Sequence, residues 1–285
     1  MIQDDAFGQE WSASLRRASD RDLRAWLSFA NELADQADEI ARTFFRRDPA
    51  TSRKSDGTFV TEADLRIEEM LRDRITNRYP THRITGEEFG VDDASDSVRW
   101  YLDPIDATAN YVRGIPLFAT LIAAEFEGEL QVGVMSAPAL DQRWHAGRGL
   151  GAWTVGGPAG PSPRRLAVSS VDSIPDAHLL YRSVVDLDAS RVSTGFEALR
   201  GEVASSRGFG DFWGYALVAD AAAEVMVEQD LGPWDLAAPW VVIEEAGGRI
   251  TDFDGSRSLE RGEGCATNGI LHRSILQRLR RETVP

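Results

Sequence analysis

The segment WYLDPID, at residues 100–106, ends an apolar run with two aspartates, Asp103 and Asp106, on either side of a Pro-Ile pair. If the chain bends at the proline, both carboxylates can face one point, and a point between two carboxylates suits a cation. An Asp-Pro turn would explain Asp103 without a metal, but it would not explain Asp106. The pair therefore predicts a metal site at a junction between a strand and a helix.

Three other segments supply carboxylates that could complete such a site. Glu87 stands in Gly-Glu-Glu, Asp64 in Thr-Glu-Ala-Asp and Asp235 in Pro-Trp-Asp-Leu-Ala-Ala. Oxygen ligands without a cluster of His or Cys suit magnesium better than zinc or copper. Structural interpretations remain open, because Asp64 also fits the third position of a helical capping box and Asp235 also fits a helix N-cap. Glu87 and its neighbour Glu88 could instead form a solvated turn.

The chain carries 46 acidic and 31 basic residues, which gives a net charge of −15 at pH 7. This balance repels phosphate backbones and anionic lipid surfaces, so we predict neither a nucleic-acid nor a membrane partner. A small phosphate ester would also be repelled unless bound cations supplied positive charge, which agrees with the aspartate pair. The single cysteine, Cys265, excludes an intrachain disulfide, and the acidic N-terminus differs from a signal peptide, so we expect a cytoplasmic protein.

Hydrophobic periodicity predicts the elements that position these residues. Apolar residues at three- and four-residue steps predict a helix over 21–46. A second helix is predicted to begin after Thr61, because Thr-Glu-Ala-Asp fits a capping box, and to end at Pro80. Apolar and β-branched runs predict strands at 117–126, 130–135 and 142–146. The first half is therefore predicted to be helices packed on an antiparallel sheet.

A Gly- and Pro-rich segment at 156–165 predicts a long loop or a boundary between two parts of the chain. Beyond it, strands are predicted at 178–183, 203–206, 225–228 and 249–253, and they alternate with helices predicted at 189–200, 212–223 and 236–246. This alternation predicts a layered α/β half. We therefore divide the chain into residues 1–155, which carry most of the candidate ligands, and 156–285, with both parts packed as one compact unit.

Taken together, the motifs resemble a known enzyme family. Glu87 in Gly-Glu-Glu, the run Asp-Pro-Ile-Asp followed by Thr108 and Asn110, and the segment WDLAA at 234–238 are similar to the magnesium-dependent inositol monophosphatases. The similarity extends from about Leu23 to the C-terminal helix. It implies a mixed α/β fold layered as an αβαβα sandwich. It also implies an enzyme that hydrolyses a small phosphate ester and that is usually a homodimer.

The resemblance also implies which residues hold the metal ions. Glu87, Asp103 and the carbonyl oxygen of Ile105 would hold a first magnesium ion. Asp103, Asp106 and Asp235 would hold a second, so that Asp103 bridges the two. Two or three such ions would activate a water molecule and stabilise the leaving oxygen of the ester.

Further roles follow from the same resemblance. Asp64 and Thr108 would orient the attacking water, with Glu87 counted among the catalytic residues and Lys54 as a further candidate. The backbone N–H groups of Ala107 and Thr108, at the start of a helix, would bind the phosphate oxygens. The family usually has glycine or serine where this chain has Ala107. Alanine costs little there if its backbone is helical, but it is strained if φ is positive.

The segment RGFGDFWGY, at 207–215, is similar to the G-D-x-x-x-Y pattern of the histidinol-phosphate phosphatase branch. It implies that Arg207 and Asp211 bind the substrate, although Asp211 could instead be a helix N-cap. Glu228, seven positions before Asp235, matches a substrate-contacting glutamate of both the histidinol-phosphate and the inositol phosphatases, so it does not distinguish them. The predicted activity is hydrolysis of L-histidinol phosphate to L-histidinol and phosphate, a step of histidine biosynthesis. The alternatives are an inositol-1-monophosphatase or related sugar or cyclitol phosphatase and, because of Ala107, a weakly active or non-catalytic relative.

Overall fold

A computed structural model describes residues 17–47, 51–53, 59–92 and 94–280 of the chain. Lys54 lies outside the described residues. The helices are α1 (Asp20–Phe44), α2 (Glu62–Arg78), α3 (Thr108–Val112), α4 (Val184–Asp188), α5 (Ser193–Glu202), α6 (Asp211–Ala219), α7 (Pro233–Glu245) and α8 (His272–Leu279). The strands are β1 (Thr51–Arg53), β2 (Phe59–Thr61), β3 (Arg83–Gly86), β4 (Gly90–Asp92), β5 (Val98–Asp106), β6 (Ala119–Phe126), β7 (Glu129–Ala137), β8 (Gln142–Gly147), β9 (Gly151–Gly156), β10 (Arg164–Arg165), β11 (His178–Tyr181), β12 (Ser205–Arg207), β13 (Val225–Gln229), β14 (Arg249–Thr251) and β15 (Glu263–Thr267).

The two N-terminal helices begin where the sequence places capping residues. Ser19 caps α1 by accepting the N–H of Asp22. Thr61 caps α2 in a complete capping box, since its side chain accepts the N–H of Asp64 and its own N–H donates to the Asp64 carboxylate. The Ser19 cap and the Thr61 capping box each fix where a helix starts, and the box also fixes the direction of Asp64.

An eight-stranded sheet follows these helices, in the order β10-β9-β8-β7-β6-β5-β3-β4. All neighbouring strands are antiparallel except β3 and β5, which are parallel. The predicted antiparallel sheet is present. Strands β3 and β4, of four and three residues, were not predicted because such short strands carry little periodicity, and β9 was not predicted either. The Gly- and Pro-rich segment contains a 3₁₀ turn, Gly157–Ala159, and then β10, which still pairs with β9. The division near residue 156 stays a prediction.

A second sheet has five strands in the order β12-β11-β13-β15-β14. Strand β11 runs parallel to both of its neighbours, whereas β15 is antiparallel to β13 and β14. Strands β11, β12 and β13 run parallel because helices connect them along the chain. Strand β15 follows β14 directly and runs in the opposite direction, so it is antiparallel to its neighbours. The layered second half predicted from the alternation of strands and helices is therefore present.

Successive residues of a strand point to opposite faces of its sheet, so their contacts show which layer lies on each side. In β5, Trp100 belongs to the core formed with α1 and α2, whereas Tyr101 faces α6 and α7. In β11, Leu180 also faces α6 and α7, whereas Leu179 packs with Phe196 of α5 and with α8. The order is therefore helices, sheet, helices, sheet, helices, which confirms the αβαβα sandwich. Within the described ranges, no helix is long and apolar enough to cross a membrane.

Candidate active site

A β-bulge in β5 brings the two aspartates of the WYLDPID segment together. Asp103 pairs with Leu121 of β6 and Asp106 pairs with Ala119, so three steps along β5 match two along β6. In a regular strand, residues three apart point to opposite faces, and one extra residue restores them to the same face. The hydroxyl of Thr120 donates to the carbonyl of Pro104 at 2.8 Å and holds the bulge. The bend at the proline that the sequence suggested is thus a bulge.

Asp235 completes a carboxylate cluster from the central helix layer. Its carboxylate and those of Asp103 and Asp106 each offer an oxygen within 4.8 Å of the others. The N-cap of α7 is Gly232 and not Asp235, which corrects the structural interpretation of that aspartate. Asp235 instead occupies the third helical position and accepts the N–H of Gly232 at 2.7 Å. One oxygen therefore fixes the helix start while the other is available to the cluster.

Burial makes this cluster costly without a cation. Asp103 and Asp106 are only 1% and 7% exposed. Burial, followed by the charges of Glu87 and Asp106, raises the pKa of Asp103 well above its usual value. Burial and then Glu87 raise the pKa of Asp235 to about 7. Asp103 Oδ1 is buried and accepts no hydrogen bond from the described residues. Three clustered carboxylates, one of them with a buried oxygen that accepts no hydrogen bond from the described residues, fit a divalent metal ion.

Asp106 has a second task at the start of α6. Its Oδ2 accepts the N–H of Phe212 at 2.7 Å and so caps that helix from another sheet. Asp211 is the first residue of α6, and the N-cap residue before it is Gly210, which has no side chain to accept a hydrogen bond. The N-cap interpretation of Asp211 is therefore wrong, because the N-cap residue is Gly210 and the carboxylate that accepts the N–H of Phe212 comes from Asp106.

Asp64 and Thr108 come together although 44 positions separate them. Asp64 Oδ2 serves the capping box of α2, whereas Oδ1 lies 3.5 Å from the Thr108 hydroxyl. That hydroxyl lies closer, at 2.9 Å, to the carbonyl oxygen of Ile105. Burial raises the pKa of Asp64 to about 6. The capping and catalytic interpretations of Asp64 are therefore compatible, since each uses a different oxygen.

Ala107 stands at the N-cap of α3 with φ 65° and ψ 45°, in the left-handed region. This conformation is unfavourable for alanine because its Cβ approaches the following carbonyl. Ala107 and Thr108 both line the same cavity as the metal-type carboxylates. The structure therefore answers the question left open by the sequence: the alanine has positive φ and is strained, and it lies at the site.

The cavity around these residues has a volume of about 440 Å³. Glu87 and Asp211 also line it, together with the apolar side chains of Phe59, Leu231 and Trp234. Predicted residues from both halves of the sequence therefore face one space.

Arg182 is a residue of this cavity that the sequence analysis missed. It is the one basic side chain among the described residues that line the cavity. Its guanidinium contacts Asp186 at 3.2 Å and the buried Glu228 at 3.7 Å. Glu228 also accepts the N–H of Asp211 at 3.2 Å. A charged residue directly after the apolar run of β11 was a signal that could have identified it.

Arg207 was predicted to bind substrate, but it does not line this cavity. It is exposed on β12 and donates to the neighbouring carbonyl of Ser206. Glu228, almost fully buried, lies behind Asp211 and Arg182 and does not itself line the cavity. Burial, followed by the charge of Asp211, raises the pKa of Glu228 to about 8.

Known proteins are similar to this chain in sequence and in fold. The sequence pattern of the inositol monophosphatase family matches residues 22–283. A histidinol-phosphatase of Mycobacterium tuberculosis is 41% identical over 254 residues, covering 89% of this chain and 97% of that protein. An inositol-1-monophosphatase of Mesorhizobium japonicum is 31% identical over 236 residues, covering 81% and 86%. An inositol monophosphatase structure from Anabaena superposes with a TM-score of 0.77 at 27% identity, covering 90% and 96%. The chain therefore belongs to the inositol monophosphatase family and is a phosphoric monoester hydrolase.

Proposed function

We propose that this phosphatase uses magnesium to hydrolyse L-histidinol phosphate. The observation that carries the proposal is Asp211, whose carboxylate lines the same cavity as Asp103, Asp106 and Asp235. Histidinol phosphate has a cationic amine beside its phosphate ester, whereas a cyclitol phosphate has only hydroxyl groups. A carboxylate next to the metal-type cluster therefore favours the amine-bearing ester.

Five oxygen donors would hold the metal. They are the carboxylates of Glu87, Asp103, Asp106 and Asp235 and the carbonyl of Ile105. Magnesium bound there would lower the pKa of a water molecule and would neutralise negative charge on the phosphoryl group and the leaving oxygen. We expect two or three ions, because the buried Oδ1 of Asp103, which accepts no hydrogen bond from the described residues, would offer a further ligand atom.

The Asp64 and Thr108 side chains are suited to orient a water molecule. A hydroxyl has one proton, and the shorter contact assigns the Thr108 proton to the Ile105 carbonyl. The Thr108 lone pairs and Asp64 Oδ1 then remain as acceptors that face each other. A water molecule with two protons can donate to both. Because its pKa is raised to about 6, Asp64 is ionised at neutral pH and is a better base than an ordinary aspartate.

Phosphate binding is assigned to the backbone at the start of α3. The first N–H groups of a helix have no partner within the helix, so those of Ala107 and Thr108 can donate to phosphate oxygens. This arrangement would hold the ester with its phosphorus between the water acceptors and the leaving oxygen. It also leaves the rest of the substrate near Asp211 and Arg182.

A substrate panel with a matched pair of variants tests the proposal. L-histidinol phosphate, myo-inositol 1-phosphate, fructose 1,6-bisphosphate and adenosine 3′,5′-bisphosphate are compared by phosphate release with magnesium and with chelator. Asp211→Asn should lower kcat/KM for histidinol phosphate at least about tenfold. The variant leaves the cationic amine of the substrate unpaired, and an unpaired charge in a partly buried site costs on the order of 2–5 kcal/mol. Inositol phosphate should be much less affected. Asp230→Asn is the control, since Asp230 is an exposed acid lining the same cavity.

A uniform loss on both esters would make Asp211 a structural residue, and no loss on either would favour the alternative, an inositol or related cyclitol phosphatase. That alternative has its own support in the Mesorhizobium relative. No phosphate release from any ester would favour the non-catalytic relative. A homodimer, a cytoplasmic location and a place in histidine biosynthesis remain proposals that accompany the histidinol phosphate assignment.

A further inference from the structure

Glu68, in the middle of α2, is a fully buried acid with no role in the site described so far. Its carboxylate accepts three hydrogen bonds. Two come from the backbone N–H groups of Glu88, at 2.7 Å, and Phe89, at 3.1 Å, and the third comes from Arg72 Nε at 2.8 Å. The two backbone donors are the residues that directly follow Glu87, so Glu68 holds the turn that carries this predicted metal ligand.

The turn is fixed on both sides of Glu87. The N–H of Glu87 donates to the carbonyl of Leu102 on β5 at 3.1 Å, and the next two N–H groups donate to Glu68. Leu102 precedes the bridging ligand Asp103 in β5. The Glu87 backbone is therefore attached to the strand that carries the aspartates and, through Glu68, to the helix that carries Asp64.

Gly86 shows how closely the carboxylate approaches the turn. A Cβ atom at Gly86 would lie 2.0 Å from Glu68 Oε1 and 2.8 Å from an Arg72 nitrogen. No side chain fits there, so the glycine of the Gly-Glu-Glu motif is required by the Glu68 carboxylate. Its φ is not positive, and thus close packing, not backbone conformation, is the reason for glycine.

Arg72 extends the same contact to the far end of the turn. Its guanidinium donates to the carbonyl of Gly90 and forms an ion pair with Asp92 at 3.0 Å. The side chain of Arg72 is 12% exposed and that of Glu68 is 0% exposed. Arg72 thereby compensates the buried charge of Glu68. Two side chains of α2, one helical turn apart, therefore bind the segment from residue 88 to residue 92, which comprises the turn and strand β4.

We propose that Glu68 is a positioning residue that sets the metal affinity of the site through the Glu87 turn. The inference rests on the proposed role of Glu87 as a metal ligand. Groups that orient a metal ligand typically change metal affinity about 10- to 100-fold when removed. Because Glu68 touches the turn and not the cavity, its loss should weaken metal binding more than it changes the turnover of the loaded enzyme.

Glu68→Gln is the test variant, because glutamine keeps the size of the side chain but loses the charge that two N–H groups and Arg72 share. Magnesium binding to the free enzyme is measured by calorimetry, and activity is titrated with magnesium. We expect the dissociation constant and the half-saturating magnesium concentration to rise about 10- to 100-fold. At saturating magnesium, kcat and the KM for the ester should stay within about twofold. Glu69→Gln, at the exposed neighbouring position, is the control and should change neither.

Arg72→Lys is a milder second variant in case Glu68→Gln fails to fold, because lysine keeps the positive charge that compensates Glu68 but lacks the planar fork that reaches Glu68, Gly90 and Asp92 together. It leaves both N–H contacts to Glu68 and should give a smaller rise in the same direction. A lower melting temperature with unchanged magnesium binding would overturn the proposal and make Glu68 purely structural. A loss of kcat that saturating magnesium does not restore would also overturn it. If the unmodified enzyme bound no magnesium, the proposed metal site itself would fail, which is a different result.

Discussion

Replacing Ala107 with glycine tests whether backbone strain is stored at the phosphate-binding turn. Ala107 has φ 65°, and glycine adopts this conformation without a Cβ clash. The chain offers two matched positions for the same substitution. Ala221 has φ 59°, is exposed and does not line the catalytic cavity, whereas Ala109 is exposed within helix α3 and lines that cavity.

Three contributions determine how Ala107→Gly should change the free energy of unfolding, one stabilising and two destabilising. Relief of the left-handed conformation stabilises the folded state by roughly 1–2 kcal/mol. The greater freedom of glycine in the unfolded chain offsets about 0.4–1 kcal/mol of this. Ala107 also packs against the core with α1 and α2, so its half-buried methyl group contributes a fraction of the ~0.8 kcal/mol of a fully buried one. Ala107→Gly should therefore change the free energy of unfolding by about 0 to +1 kcal/mol.

The two comparison variants should bracket that value. Ala221→Gly loses no buried methyl group and should stabilise the protein by roughly 0.5–1 kcal/mol. Ala109→Gly places glycine in a helix and should destabilise it by roughly 0.5–1 kcal/mol. Urea unfolding of the metal-free proteins measures all three. Phosphate release with magnesium should hold or rise for Ala107→Gly, because the methyl group beside the phosphate is removed, and should not change for Ala221→Gly.

A loss of stability in Ala107→Gly as large as that in Ala109→Gly would refute the strain argument. A large loss of turnover with unchanged stability would show that the Ala107 methyl group packs usefully against the substrate.

The remaining predictions concern the carboxylate cluster. Asp103→Asn should reduce turnover by more than the ~10- to 100-fold that is typical when a residue that orients a metal ligand is lost. The same variant should raise the melting temperature of the metal-free protein, because it removes one buried acidic group from the carboxylate cluster. Retained turnover would contradict the bridging role. In the metal-free protein, burial raises the pKa of Asp235 to about 7 and that of Glu228 to about 8, whereas carboxyl groups in the unfolded chain have pKa values near 4. The folded state therefore binds protons more tightly than the unfolded state. Thermal unfolding at each pH should thus show stability falling from pH 5 to 8 without magnesium; a rise would contradict this.

The local features of the site could be predicted because neighbouring residues determine them. The Thr-Glu-Ala-Asp capping box around Thr61 and Asp64 depends on four consecutive positions, and it forms as expected. The faces of α1 and of the strands follow from apolar periodicity, which a single segment contains. The Asp-Pro-Ile-Asp spacing likewise indicated convergence of Asp103 and Asp106.

Other features depended on partners distant in the chain. The bulge that aligns Asp103 with Asp106 depends on how β5 pairs with β6. The carboxylate that caps α6 belongs to Asp106, which lies in another sheet. A helix N-terminus needs an acceptor but does not specify which residue supplies it. Arg182 faces the catalytic cavity only because β11 ends there, whereas Arg207, chosen from its motif, lies on an edge strand.

The sequence by itself determined which residue types could bind metal and phosphate, and which faces of the helices and strands are apolar, since both depend on spacing within short segments. The tertiary structure alone decided that Ala107 has positive φ and that Glu68 holds the Glu87 turn. The physical reason is the same in both cases. A strained dihedral and a buried carboxylate persist only where packing from several distant segments compensates their cost, and no single segment contains that packing.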